Sequence, residues 1–259
     1  MGDVNEKTVQ YHSMPVHNPL YKIGPVCFRG NIVKAETAVE RPEVLSHIVP
    51  APLLYKGNTL FIVLLEVTEL KEGFSEEDRV WNEIAIQIPV FHNGEPGLFV
   101  CENYCSDISG ILSGRETYGY PKVPARISLD KSNNGVSAKL MKYASNKEIL
   151  HFTCRTANVI PSPAGPHPGG MDKKMPKIIL LKYIPSATMS DTPDVHQLVT
   201  MKYRKPVIHK IMTAEGNIEI REGAPDYLQE ARITKTLGLS CLDMETNVMG
   251  GEILHNYQS

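Results

Sequence analysis

The chain has 259 residues, 42% apolar and 22% charged, with 19 glycines and 19 prolines, a mixture that excludes a collagen, a coiled coil and a disordered tail. Lys plus Arg number 27 against 29 Asp plus Glu, a formal charge of −2, and no basic stripe offers the counterion release that nucleic-acid binding needs. The longest apolar run, Leu60 to Leu65, falls far short of the roughly 20 residues that cross a bilayer as a helix, so neither a nucleic-acid nor a membrane partner is expected.

The N-terminal residues from Met1 to Lys7 contain acids and no apolar stretch, which fits neither a secretory signal nor a myristoylation site at Gly2. Five cysteines, Cys27, Cys101, Cys105, Cys154 and Cys241, form no dense framework, and no Asn-x-Ser/Thr site occurs. Reduced thiols in a cytoplasmic protein are expected. Cys101 and Cys105 would share a helical face, but no second Cys/His pair completes a zinc set, so no metal site is expected. Without a linker-like change of composition, residues 1–259 read as one domain.

In chain order, Arg41 to Ile48 is a short helix candidate and Asn58 to Glu66 a strand. From Val80 to Phe91 the isoleucines at 84, 86 and 88 and Val90 alternate with Glu83, Ala85 and Gln87, the period of a strand with one apolar face. His92 to Gly97 supplies turn residues and Leu98-Phe99-Val100 returns, predicting a hairpin with a longer loop. Asn103 to Ser113 places Ile108, Ile111 and Leu112 at helical spacing, with Gly114 as the stop. Ala125 to Leu129 and Val136 to Met141 flank Asn133-Asn134-Gly135, a second hairpin. Further β-like runs are Ile149 to Thr156, Lys177 to Ile184, Gln197 to Tyr203, Pro206 to Met212 and Asn217 to Ile220. The stretch from Val159 to Pro176 is rich in proline and glycine and reads as a lid, a binding loop or a disordered excursion, with His167 a candidate ligand contact.

Nucleotide-binding glycine motifs, His-Glu-x-x-His and Gly-x-Ser-x-Gly are all absent. The segment that carries chemistry is Gly114-Arg115-Glu116-Thr117-Tyr118-Gly119-Tyr120-Pro121-Lys122, where a lysine enters a strand from a sharply punctuated turn. On its own, Tyr-Pro-Lys describes a surface lysine after a proline.

The longer string resembles the active-site segment of the acetoacetate decarboxylase family, in which the lysine forms a Schiff base; Lys122 matches it. Upstream, Glu83 with Ile88-Pro89-Val90 and Asn93-Gly94, and Ile48-Val49-Pro50-Ala51-Pro52-Leu53, are similar to further blocks of that family. The match is firm over about residues 20–185. The resemblance implies an α+β, mainly antiparallel β fold, a cone-like β-barrel with flanking helices, and a homo-oligomer. In that arrangement Glu83 and Gln87 would face the cavity while the isoleucines pack outward. The resemblance assigns Lys122, Glu83 and Arg29 as catalytic; Tyr120, Gln87 and the loop residue His167 are candidate substrate contacts. The family's second active-site glutamate falls where this chain has Ile62 or Val63, with Glu66 the nearest acid. Val123 stands where decarboxylating members tend to have a second lysine.

An amine must be unprotonated to attack a ketone, yet a free lysine with pKa about 10.4 is almost wholly charged at pH 7. The family is itself a standard instance of a lysine activated by desolvation or by a neighbouring cation. Val123 removes the adjacent cation, which leaves an apolar pocket to do the work. The expected reaction is decarboxylation of acetoacetate or a related β-keto acid through Lys122, with no metal or organic cofactor. Arg29 would orient the substrate carboxylate and Glu83 would move a proton. The alternatives are a Schiff-base aldolase-dehydratase acting on pyruvate and an aldehyde, and a non-catalytic barrel that binds a small ligand.

Overall fold

A computed structural model describes residues 13–15, 19–21, 24–70, 79–132, 135–160, 176–204 and 206–258. The strands are β1 (Val26–Val39), β2 (Leu54–Tyr55), β3 (Thr59–Glu69), β4 (Arg79–His92), β5 (Glu95–Cys105), β6 (Lys122–Ser132), β7 (Gly135–Lys142), β8 (Glu148–Ile160), β9 (Lys177–Ile184), β10 (Val195–Tyr203), β11 (Val207–Ile220) and β12 (Ile233–Asn256). Three short α-helices join them, α1 (Pro42–Ile48), α2 (Ile108–Ser113) and α3 (Asp226–Ala231), with a π-helical turn over Gly114–Tyr118. The mainly antiparallel β class is as expected; the two parallel pairings are both short and both involve β5.

The strands form a single sheet that divides at β5 and rejoins at β12. One end of β5 pairs with β9 through Gly97–Phe99, the other with β6 through Asn103–Cys105. One branch then runs β6-β7-β8-β11 and the other β9-β10, and both reach β12. Strands β12, β1, β3, β4 and β5 are common to both routes, so each presents a face to either side.

Alternation along these shared strands sorts their side chains. Leu60, Ile62, Leu64, Ile84, Ile86, Ile88 and Val90 pack into the larger core with Leu140, Leu150, Phe152 and Leu228. Their neighbours Val63, Ala85 and Val100 pack into a smaller cluster with Leu180, Met201 and Val248. The isoleucines of β4 thus do not pack outward, as the barrel expectation had it. They fill the main core, because both faces of β4 are covered and its polar residues line the smaller compartment.

Several elements differ from the sequence reading. The hairpin after β4 is tight: His92 pairs with Glu95 around Asn93 and Gly94, both at positive φ (51° and 81°), the two-residue turn that Asn-Gly favours. The helix expected over Asn103 to Ser113 starts only at Ile108, where the Asp107 side chain caps it by accepting from Gly110 N at 2.5 Å. Asn103 and Cys105 belong to β5 instead, opposite Ala85 and Glu83, so Cys101 and Cys105 share a strand rather than a helical face. None of the five cysteines is in a disulfide. Gly114 does not stop the helix; the chain continues through the π turn to Gly119, whose φ of 83° ends it. The runs from Pro206 and from Asn217 are one strand, β11. Strands β1 and β12 and helix α3 were not foreseen. Residues Asn133 and Asn134 and the central part of the proline-rich stretch, with His167, lie outside the described residues. No described helix is long and apolar enough to cross a membrane.

Phe152 is fully buried in the larger core and Met189 is 94% exposed. Phe152→Ala should therefore cost about 3–5 kcal/mol in urea unfolding, through lost burial and the cavity left behind. Met189→Ala should stay within about 0.5 kcal/mol. Comparable losses for the two would contradict this placement of the core.

Candidate active site

Lys122 is the first residue of β6 and Glu83 lies on β4, with β5 between them. Both are buried, at 8% and 6% exposure, and Lys122 Nζ donates to Glu83 Oε1 at 2.5 Å. The carboxylate is held from several sides: Trp81 Nε1 donates to Oε1 at 2.6 Å and Asn103 Nδ2 to Oε2 at 2.9 Å. Burial pushes the Glu83 pKa upward, but the Lys122 charge and the hydrogen bonds from Lys122, Trp81 and Asn103 outweigh it and hold the carboxyl below its ordinary value. Cys105 Sγ, 3.9 Å from Oε1, is pushed up to about 12 by burial and by the Glu83 charge, so it remains a thiol.

Three local devices make this geometry. Ile86 pairs with Glu102 and Gln87 with Val100, leaving Cys101 as an extra residue, a β-bulge. Without the extra residue, Asn103 would point to the face opposite Val100; the bulge brings it to Glu83's side. The second device is a clamp on the chain before the lysine: Tyr120 N donates to Gly114 O at 3.0 Å, Asn103 N to Pro121 O at 3.2 Å, and Arg115 Nη1 to Lys122 O at 3.1 Å. The third is Gly114 itself. A Cβ there would sit 2.9 Å from Lys122 Cδ and 3.0 Å from Cε, so glycine makes room for the lysine stem.

Tyr120 packs beside the lysine, with Nζ 5.3 Å from its ring centroid, and its hydroxyl meets that of Tyr203 at 3.2 Å. Around the pair the walls are apolar: Leu65 lies opposite Glu83 and Val63 opposite Ala85. Val63 fills the region where the resemblance expected a second glutamate. Glu66 lies on the other face of β3, paired with Lys131 at 2.6 Å and accepting from Asn31 at 3.1 Å. Gln87 shares the Glu83 face of β4 but stands about 13 Å along it by strand rise.

Arg29 is not brought to Lys122. It follows Phe28, which packs in the smaller cluster, so alternation turns it to the opposite face of β1, where it is half exposed and pairs with Asp243 at 2.9 Å. The expectation for Val123 also changes. Being next to Lys122 on a strand, it points away from it and packs against the larger core. A lysine at 123 would project to the other side of the sheet. The amine at Lys122 is met by a carboxylate rather than enclosed by apolar walls alone. Among the described residues, no group of three or more His, Cys, Asp or Glu is placed to hold a metal.

Trp81, Asn103, Cys105, Gly114 and Tyr203 are site residues that the sequence reading did not single out. Trp81 was accessible from strand period, two residues before Glu83 on the same face. Asn103 was not, since its direction depends on the bulge.

The buried Lys122–Glu83 pair thus lies at the dividing point of a sheet that returns on itself. The acetoacetate decarboxylase (ADC) family profile matches residues 13–258, and the chain belongs to that family of carboxy-lyases. It is 28% identical, over 99% of its length and 98% of the relative's, to an acetoacetate decarboxylase of Burkholderia multivorans. Its fold superposes on a solved acetoacetate decarboxylase with a TM-score of 0.83 at 18% identity, covering 99% of this chain and 100% of that one. It also superposes on the enduracididine biosynthesis enzyme MppR, complexed with the condensation product of pyruvate and imidazole 4-carboxaldehyde, with a TM-score of 0.80 at 14% identity, covering 98% and 99%.

Because folded Glu83 binds its proton less readily than in the unfolded chain, its contribution to stability is present above the ordinary value of 4.5 and is lost as pH falls through the lowered folded value. Urea midpoints measured across the acid range should fall less steeply with decreasing pH in Glu83→Gln than in the parent protein. Parallel acid limbs would show that Glu83 does not carry this dependence.

Proposed function

We propose that the protein forms a Schiff base between Lys122 and the ketone of a β-keto acid and releases carbon dioxide. The observation that carries this reading is the 2.5 Å contact between a buried amine and a buried carboxylate, since the hydrogen bond that pairs them is also a route for a proton.

Glu83 takes the proton from Lys122, and the free amine attacks the carbonyl carbon to give a carbinolamine. Loss of water leaves a protonated imine. The bond between the α-carbon and the carboxylate then breaks, carbon dioxide departs, and the electron pair flows into the imine to give an enamine. Glu83 has returned its proton to the departing hydroxyl, so the proton that reaches the enamine carbon is taken up from water, with Glu83 the nearest group to relay it; the protonated imine that results adds water and releases the ketone, restoring the Lys122 ammonium and the Glu83 carboxylate. Tyr120 bounds the substrate beside Nζ, and Asn103, whose Oδ1 has no partner among the described residues, is placed to accept a hydrogen bond from the carbinolamine hydroxyl. The apolar walls suit a step in which a carboxylate loses its charge. We read the returning sheet as the cone-like barrel of the family, and the protein as a cytoplasmic homo-oligomer.

A second outcome uses the same nucleophile. An imine of pyruvate tautomerises to an enamine, attacks an aldehyde and loses water. Val63, where a second glutamate was expected, favours this reading, as does the likeness to MppR with its pyruvate condensation product. Release of carbon dioxide from acetoacetate separates the first outcome from the second, which instead yields an unsaturated product from pyruvate and an aldehyde.

Incubation with acetoacetate or pyruvate and borohydride should add mass to the peptide containing Lys122. Lys122→Ala should abolish the adduct while remaining folded, and Glu83→Gln should slow its formation by about 10²–10⁴-fold. Gly114→Ala, which crowds the lysine stem, should also reduce it. An adduct retained in Lys122→Ala, or none in the parent protein, contradicts both catalytic readings and leaves ligand binding alone.

A further inference from the structure

The floor of the site runs in register away from Lys122 and ends at a second ammonium. Lys34 follows Ile32 on the same face of β1 and lies opposite Val63, which in turn lies opposite Ala85 of β4. Lys34 Nζ sits 4.0 Å from the centroid of the Phe61 ring, and Phe61 lies opposite Gln87. Along this face the Lys122–Glu83 pair is therefore followed by Leu65, Val63 and Ala85, all apolar, and then by Lys34 and Gln87 around Phe61. Two strand spacings across and two residues along put the Cα atoms of Lys34 and Glu83 about 12 Å apart.

Lys34 is only partly exposed, and among the described residues no carboxylate lies within ion-pair distance of it. Glu36, on the same face and opposite Phe61, acts on it at longer range and favours its charge; burial is the larger effect and lowers its pKa. An ammonium held over an aromatic face without a contacting anion is poised to receive one.

We propose that Lys34 is a specificity-determining residue that receives a second acidic group of the substrate, so that the site takes a keto acid bearing a carboxylate several carbon atoms from the ketone. The inference rests on the Schiff-base reading for the ketone end of that substrate. In such a complex the intervening methylenes would lie along Leu65, Val63 and Ala85, and Gln87 would supply an amide beside the remote carboxylate. Acetoacetate, which has no second acid, would leave Lys34 unused. Arg29, turned to the other face, cannot fill this role.

The test compares two β-keto acids of equal length, 3-oxooctanoate and 3-oxooctanedioate, as the concentration that gives half-maximal borohydride trapping on Lys122. The dicarboxylate should reach it at a concentration about 10–100-fold lower, the size of one charge-assisted contact. That ratio should fall to about one in Lys34→Met and return in Lys34→Arg, a rescue that a purely packing role for the lysine stem would not produce. Equal concentrations in the parent protein, or a preference that survives in Lys34→Met, overturns the proposal. If neither compound is trapped, the Schiff-base reading fails, and titration calorimetry decides Lys34 with octanedioate and octanoate. Tighter binding of octanedioate that is lost in Lys34→Met supports the assignment, and equal binding of the two refutes it.

Discussion

The structure is organised around two opposite charges taken out of water together. Lys122 and Glu83 side chains are 9% and 8% exposed, and burying such ions costs several kcal/mol each unless their hydrogen-bonding capacity is met. Trp81 and Asn103 supply the other donors to Glu83. Each charge is costly to bury alone, so the lysine relies on the glutamate for its counter-charge and the glutamate on its donors. The bulge at Cys101, the π turn before Tyr120 and the bare Cα of Gly114 each hold one member of this set in place.

The division of the sheet gives the pair its surroundings. The five shared strands send most of their fully buried aliphatic side chains to one side, where they make most of the core, and Glu83, with Phe28, Ile32, Phe61 and Leu65, to the other. Alternation also accounts for Val123: on a strand, the residue beside Lys122 faces the opposite compartment, where its aliphatic side chain packs against the larger core.

Much of this was legible in the sequence. The alternation from Val80 to Phe91 is a strand, and the Gly-Arg-Glu to Tyr-Pro-Lys string, with Glu83 upstream, pointed to two residues that the fold brings into contact. What escaped depended on tertiary context. β1 carries Arg29, Asn31, Lys34 and Glu36 among its apolar residues, and β12 changes partner from β11 to β10 near Val248, so neither shows a clean period over its length. The direction of the β4 isoleucines could not follow from alternation, which states that two faces differ but not which is the interior. Arg29 was misplaced for a similar reason. Sequence likeness put it near the site, and strand alternation after Phe28 sends its side chain to the other face.

The interdependence of Lys122 and Glu83 is tested most directly by a double-mutant cycle on unfolding free energy with Lys122→Met, Glu83→Gln and the double variant. Each single change should cost about 3–5 kcal/mol by leaving its partner buried without its counter-charge. The double variant, with neither charge present, should be more stable than the sum of the single losses allows. Additive losses would mean that the two groups do not sense one another, and would contradict the account at its centre.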